Sequence, residues 1–442
     1  MSFAELPEDV VLRPGTTGYD EATSPDNSSF PQRPDLVVRP RTGPEVAAAV
    51  AAAVADGLRV VVQATGHGSG GPLGSGTVLI DTSALRAVTV DEQARTARVG
   101  AGATWSQVQE AAGKHGLYGL SGTSPSVGVA GYTFHGGVGW LVRPFGLGSA
   151  SLRAVTFVDG LGRLREADGD ELWAFRGGAP VGVATELEFD LFPVADLWAG
   201  YLLWPVAHLG ALTRVWIDRT GSAPDALTST LAVLRIPPQG PFPGDLLGTT
   251  VVHLSYASVD GEAGLAAMRD AMRAAAPPAV DTTGPADASV LAAVHLDPPV
   301  AVPARGTGRW LGPVDADQAG KIFGAARIGT DDGLNMIELR HVEVSSYPGK
   351  AAPADGALTA VPGPFLLHAV GAAADDAARQ AVDQRLARVE AVAPGRSAPA
   401  FREGQPGTGD AYPAAERERL IAIARRTDPR GVLAFQRVPA NP

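Results

Sequence analysis

Four ionisable side chains fall within six positions of the run Asn335-Met336-Ile337-Glu338-Leu339-Arg340-His341-Val342-Glu343. In an extended chain, successive side chains alternate between faces, so Glu338 and Arg340 share one face while His341 and Glu343 share the other. A covered sheet rarely keeps such groups without pairing or function; the run therefore carries acid–base chemistry or an Arg–Glu ion pair on an edge strand. Tyr132 is a second candidate, a phenol that could accept or relay a proton. With an ordinary pKa of about 10 it would need a lowered value or a neighbouring base, and the plainer reading is a tyrosine hydrogen-bonded in the core. A third is His67, set in the turn Gly66-His67-Gly68-Ser69-Gly70-Gly71. A lone loop histidine is ordinarily structural or solvated, and the glycines around it form only a weak phosphate cradle.

The elements that hold these residues are legible around them. Val60–Val62 is a β-branched run that reads as a buried strand emptying into the His67 turn. No helix pattern follows, since Pro72 and Gly74 come next, so the turn is not a dinucleotide fingerprint. Tyr132 lies in Ser121–Gly148, which has glycine at 122, 128, 131, 136, 137, 139, 146 and 148. That density is too high for an ordinary helix or strand interior. It fits a main chain approached closely by a flat ligand, and glycine content alone leaves open a run of turns.

Taken together, the strand, the Gly66-His67 turn, the stretch GTSPSVGVAGYTFHGGVGWLVRPFGLG and Glu171–Gly178 (ELWAFRGG) resemble the FAD-linked oxidoreductases of the berberine bridge enzyme and 6-hydroxynicotine oxidase type, within the vanillyl-alcohol oxidase superfamily. The resemblance covers Asp35–Pro193 and, more loosely, Tyr412–Phe435. It implies an α+β, two-domain PCMH-type fold: a discontinuous FAD-binding domain, 1–196 plus 397–442, and a substrate domain, 197–396, with an antiparallel sheet backed by helices. It implies FAD bonded through its 8α-methyl carbon to His67, with Thr65, Gly66, Gly68, Ser69, Gly70, Ser124, Val127, Gly128, Gly131, Gly136, Gly137, Trp140 and Val183 around the cofactor. Ser124 stands where many relatives carry a second, cysteine link, so one covalent bond at most is expected. Val127 matches the position that gates dioxygen, and a small side chain there favours an oxidase. The charged strand borders the substrate cavity in this family, which makes Glu338 the candidate base beside Tyr132, with Arg340 or His341 tuning it. The family's Tyr-x-Asn near the C-terminus has its nearest counterpart here in Phe401-Arg402-Glu403.

The remaining pattern agrees with two halves. Thr42-Gly43-Pro44-Glu45 reads as a capping box for an alanine-rich helix ended by Gly57, and Thr104–Gln107 repeats the device before a helix closed by Gly116. Strands are expected at 58–62, 77–81, 88–90 and 95–101. From Leu197 the order becomes strand 197–204, helix 207–218, strands 227–236 and 249–257, and helix 262–275. Proline-rich connections follow at 237–243 and 277–303, then strands 335–344 and 365–370, and a last helix 414–426 that returns to the first half.

Composition bounds the function. At 442 residues two domains are expected. With 36 basic and 47 acidic residues the net charge is −11, which disfavours a nucleic-acid partner. No cysteine is present, removing disulfides and thiolate metal sites, and no histidine pair has ligand spacing on a helix, so no metal is expected. An amino terminus without a basic start or apolar core, and no run of membrane length, predict a soluble cytoplasmic protein, monomer or homodimer. The expected activity is oxidation of an organic small molecule (an alcohol, amine or polycyclic secondary metabolite) by hydride transfer to flavin N5 and reoxidation by dioxygen. Two alternatives share the fold: a cyclase or isomerase with a redox-silent flavin, and a small-molecule binding protein.

Overall fold

A computed structural model describes residues 2–240, 242–298, 300–343, 347 and 354–435. Val344, the expected end of the charged strand, and 436–442 of the expected cofactor segment lie outside the described residues.

The alanine-rich helix runs Gly43–Asp56, as its capping signals demand. The Thr42 hydroxyl accepts from the Glu45 amide, and Gly57 closes the helix at φ 69°, where a side chain would be strained. The helix buries Val46, Ala49, Val50 and Ala53 against a four-stranded sheet in the order 11–12, 36–38, 77–81, 59–63. The last three strands are parallel, and this helix supplies the crossover between 36–38 and 59–63. A five-stranded antiparallel sheet follows in the order 88–91, 96–100, 183–190, 152–158, 164–166. The second capped helix, Trp105–Gly113, packs Trp105 and Val108 into the same core as Phe157, Phe175 and Phe189.

Residues 198–397 build a nine-stranded antiparallel sheet in the order 280–281, 198–205, 250–258, 227–235, 336–341, 365–372, 304–311, 396–397, with 284–285 beside 198–205. Helices Leu209–Thr220, Gly261–Ala275, Ala316–Ala326 and Asp376–Val392 cover one face. Leu212, Trp216, Met268, Ile322 and Leu386 interdigitate there with Leu231, Leu254, Leu339 and Leu367. Each large side chain buried this way contributes roughly 1.5–3 kcal/mol. The period of two then aims Glu338, Arg340 and His368 at the opposite face, toward the first half of the chain.

A polar fastening joins the halves, and the C-terminal segment closes the first of them. Arg143, in the short helix Val142–Phe145, donates to the carbonyls of Glu343, Pro224 and Leu227 at 3.0, 2.7 and 2.5 Å. The helix Ala414–Thr427 returns to bury Leu420 and Ile423 in the core of Trp173 and Phe175, and the chain beyond it exchanges two backbone hydrogen bonds with Val60.

Candidate functional site

A cavity of about 270 Å³ opens where the two glycine-rich stretches meet the uncovered face of the large sheet. The His67 turn forms one wall, because the parallel strand Arg59–Gln63 ends there and Gly66 reverses the chain at φ 72°. A Cβ on Gly66 would stand 2.3 Å from the Pro25 side chain, so the turn needs glycine for packing as well as for its angle. Of the expected cofactor residues, Thr65, Gly66, His67, Gly68, Ser69, Ser124, Val127, Gly128 and Gly131 line the cavity. Gly70, Gly136, Gly137, Trp140 and Val183 do not.

The glycines thus divide by purpose. At Gly131, in the short helix Val129–Thr133, an added Cβ would meet nothing within 4 Å, so its bare backbone faces open space in the cavity wall. At Gly137, φ is 70° and a Cβ would fall 2.5 Å from the Tyr132 ring; Gly122 also meets that ring, and Gly139 would strike the Ser121 carbonyl. These latter positions are small because Tyr132 fills the space behind them. The wall at Gly131 and the His67 turn fits a flat cofactor laid against bare backbone, and so the residues present suit FAD.

Tyr132 lines the cavity with its ring, which stacks edge-on against Trp105 at 5.5 Å. Its hydroxyl is buried, has no hydrogen-bond partner among the described residues, and is so placed that a Cβ on Gly139 would lie 3.3 Å away. Burial drives the phenol's pKa up, only partly opposed by the Arg340 charge, so it stays protonated. The lowered value that a base would require is absent.

The charged strand yields a chain of alternating charges. Glu338 and Arg340 have fully buried side chains and bond to each other at 2.8 Å. The second Glu338 oxygen takes a 3.0 Å hydrogen bond from His295 Nε2, and His295 Nδ1 donates to Asp297 Oδ1 at 2.8 Å. On the other side His368 Nδ1 stands 3.5 Å from Glu338 Oε1 in an ion-pair contact, while its Nε2 lies 3.3 Å from Glu403. Three carboxyl groups thus alternate with three basic groups. Burial alone would lower the His295 pKa, yet the charges and hydrogen bonds of Asp297 and Glu338 push it up to about 10. His368 likewise overcomes burial through Glu403 and Glu338 and rises to about 9. Burial would raise Glu338, but Arg340 and His295 hold it well below the usual carboxylate range. Asp297 is brought down to about 2 against burial by His295, with His67 and the Thr123 hydroxyl assisting.

This arrangement corrects the expectation for the strand. Glu338 and Arg340 do face the cavity side, but neither lines it; His295, Asp297, His368 and Glu403 stand between. His341 points away, its ring tilted against Phe365 with centroids 5.5 Å apart, and burial together with the Arg143 charge lowers it to about 3. His295 and Asp297 fall in the stretch expected to be a plain proline-rich connection, just after a short helix Ala288–Ala293. Their only sequence signal is a His-x-Asp pair beside prolines, which has no period to expose it. Phe401 and Glu403 do line the cavity, where the resemblance puts the C-terminal contact segment.

Residues 34–168 match the FAD binding domain family. (R)-6-hydroxynicotine oxidase of Paenarthrobacter nicotinovorans is 29% identical over 232 residues, 50% of this chain and 51% of the relative. Berberine bridge enzyme-like 23 of Arabidopsis thaliana is 33% identical over 215 residues, 44% of this chain and 39% of the relative. The chain therefore spans about half the length, or less, of these curated relatives in alignment. The crystal structure of 6-hydroxy-D-nicotine oxidase from Arthrobacter nicotinovorans superposes with a TM-score of 0.80 over 96% of both chains at 20% identity, which establishes a shared fold. Residues 34–168 thus resemble the FAD binding domain family, and the fold as a whole is shared with 6-hydroxy-D-nicotine oxidase.

Proposed function

We propose that this protein is an FAD-dependent oxidase of an organic small molecule, an alcohol, amine or polycyclic metabolite, with residues 1–196 and 397–442 holding the cofactor and 197–396 the substrate. The observation that carries the reading is the cavity itself: bare glycine backbone with His67 on one wall, and a chain of ionised groups ending in Asp297 on another. His67, Thr65, Gly66, Gly68, Ser69, Gly128 and Gly131 would hold FAD, His67 through a single covalent bond to the ring. When bound, FAD supplies a two-electron acceptor for a hydride from carbon, which dioxygen then regenerates. Val127 lines the cavity with a small side chain and leaves room for dioxygen. Tyr132 shapes the wall as a neutral ring. Glu338 and Arg340, behind the wall, fix the charge of the imidazoles that face the cavity rather than touching substrate.

Acid precipitation of the purified protein beside His67→Ala tests the cofactor part. A yellow pellet in the parent and a colourless one in the variant are expected; yellow supernatant from both would remove the bond, and no flavin in either would remove the reading. Stoichiometric hydrogen peroxide during turnover checks the oxidase part, and substrate conversion without flavin reduction would replace it with the cyclase or isomerase alternative.

A further inference from the structure

Residues 25–32, which no motif marks, are bonded to both sides of the cavity. On one side they grip the His67 turn. The Asp26 and Asn27 amides donate to the Thr65 and Gly66 carbonyls at 2.9 and 3.4 Å, and Pro25 fills the space that a Cβ on Gly66 would need. The Gln32 side-chain amide donates to the Ser69 hydroxyl and the Gly71 carbonyl, each at 3.2 Å. On the other side the segment runs parallel to Val302: the Ser28 amide donates to the Val302 carbonyl at 3.2 Å, and the Val302 amide to the Asp26 carbonyl at 3.0 Å. Val302 belongs to the connection that leads from Asp297 to the strand Ala304–Leu311. Asn27, only 3% exposed, completes the link: its Nδ2 donates to the Ala304 carbonyl at 2.9 Å while its Oδ1 accepts from the Ser29 amide at 3.1 Å. Accepting that amide fixes which end of the Asn27 side chain is the oxygen. Arg379, in the helix Asp376–Val392, holds the segment a second time, donating to the Ser29 carbonyl at 2.6 Å and covering the Phe30 ring at 4.6 Å.

We infer that Asn27 is a positioning residue of the cavity, setting the separation between the His67 turn and the connection that carries Asp297, and with it the seating of a flavin held at His67. Its backbone holds one side and its side chain the other, so the two sides cannot part without exposing buried hydrogen-bonding groups. The inference rests on the proposed seating of FAD at His67 and adds a residue from outside the glycine-rich stretches.

Asn27→Asp separates this cross-link from a local turn, because the carboxylate still accepts the Ser29 amide but has no N–H for the Ala304 carbonyl. Hydrogen exchange followed by mass spectrometry on the protein as purified should show the amides of residues 67–73 exchanging at least tenfold faster in Asn27→Asp than in the parent. Those of the helix Leu209–Thr220 should keep their parental rates. Asn27→Ser, which keeps a local acceptor, adds no charge and is too short to reach Ala304, should do the same, and it decides the matter if the carboxylate prevents folding. Visible circular dichroism per bound flavin should fall by at least half in both variants. Parental exchange at residues 67–73, an equal rise in the helix Leu209–Thr220, or faster local exchange with unchanged dichroism would each overturn the inference. A parent protein without flavin defeats the cofactor reading, and the exchange rates alone then decide whether Asn27 holds the two sides together.

Discussion

Glu338 shows how far a single side chain can be misjudged from its type. A carboxylate in a charged strand reads as a base, but here it is the hub of a buried ion chain in contact with Arg340, His295 and His368. Removing one partner of such a group leaves uncompensated charge, and Glu338→Gln should lower stability at pH 7 by about 3–5 kcal/mol. Urea titration checks this, and an unchanged midpoint would show that the network is not ionised as described. The pH dependence has a defined sign. His295 and His368 are raised to about 10 and about 9 from an ordinary value of 6.5, so their stabilisation is complete below pH 6.5 and is lost as pH rises through 9 to 10. Glu338 is depressed, so its contribution is present above its ordinary value of 4.5 and disappears as pH falls through its lower folded value. The parent's urea midpoint should therefore decline between pH 6.5 and 10, and Glu338→Gln should flatten that decline.

At the scale of elements, the glycine-rich stretch separates into positions bare for packing and a position bare toward the cavity. Gly131→Ala adds a methyl group to open space within a helix and should leave stability unchanged or raised by up to about 1 kcal/mol, while reducing retained FAD. Gly137→Ala meets both a φ of 70° and the Tyr132 ring at 2.5 Å and should cost roughly 1–3 kcal/mol. Measuring flavin content and urea midpoint on both variants separates the two; equal loss of stability would sink the distinction. The capped helices were readable to within a few residues because capping is local: Thr42 and Gly57 bound the first helix where the sequence places them. The strand Ala304–Leu311 and the helices Ala316–Ala326 and Asp376–Val392 have no counterpart in the pattern reading. Gly306 and Gly308 stay bare within that strand because the Glu403 and Phe401 side chains press against it.

Across the whole molecule, the two halves are coupled by buried polar contacts as well as by apolar burial. Arg143 crosses from the glycine-rich stretch to three carbonyls of the other half. Arg143→Ala removes those hydrogen bonds at about 1 kcal/mol each or more, and calorimetry should show earlier unfolding of one half as a separate transition. A single transition at the parent temperature would argue that apolar contacts alone hold the halves together.

The sequence by itself determined two walls of the cavity: the strand at Val60–Val62 with the His67 turn is one local stretch, and the glycine density with the small Val127 is another, so each is written in local order. It also determined that Glu338 and Arg340 share a face, since strand periodicity is a property of the backbone. Only the tertiary structure decided which of these groups reach the cavity. His295, Asp297, His368 and Glu403 come from separate connections and strands, and they meet because the antiparallel sheet and the returning C-terminal segment fold over the glycine-rich wall. Desolvation then acts on what is brought together: it keeps Tyr132 protonated and forces Glu338 into pairing.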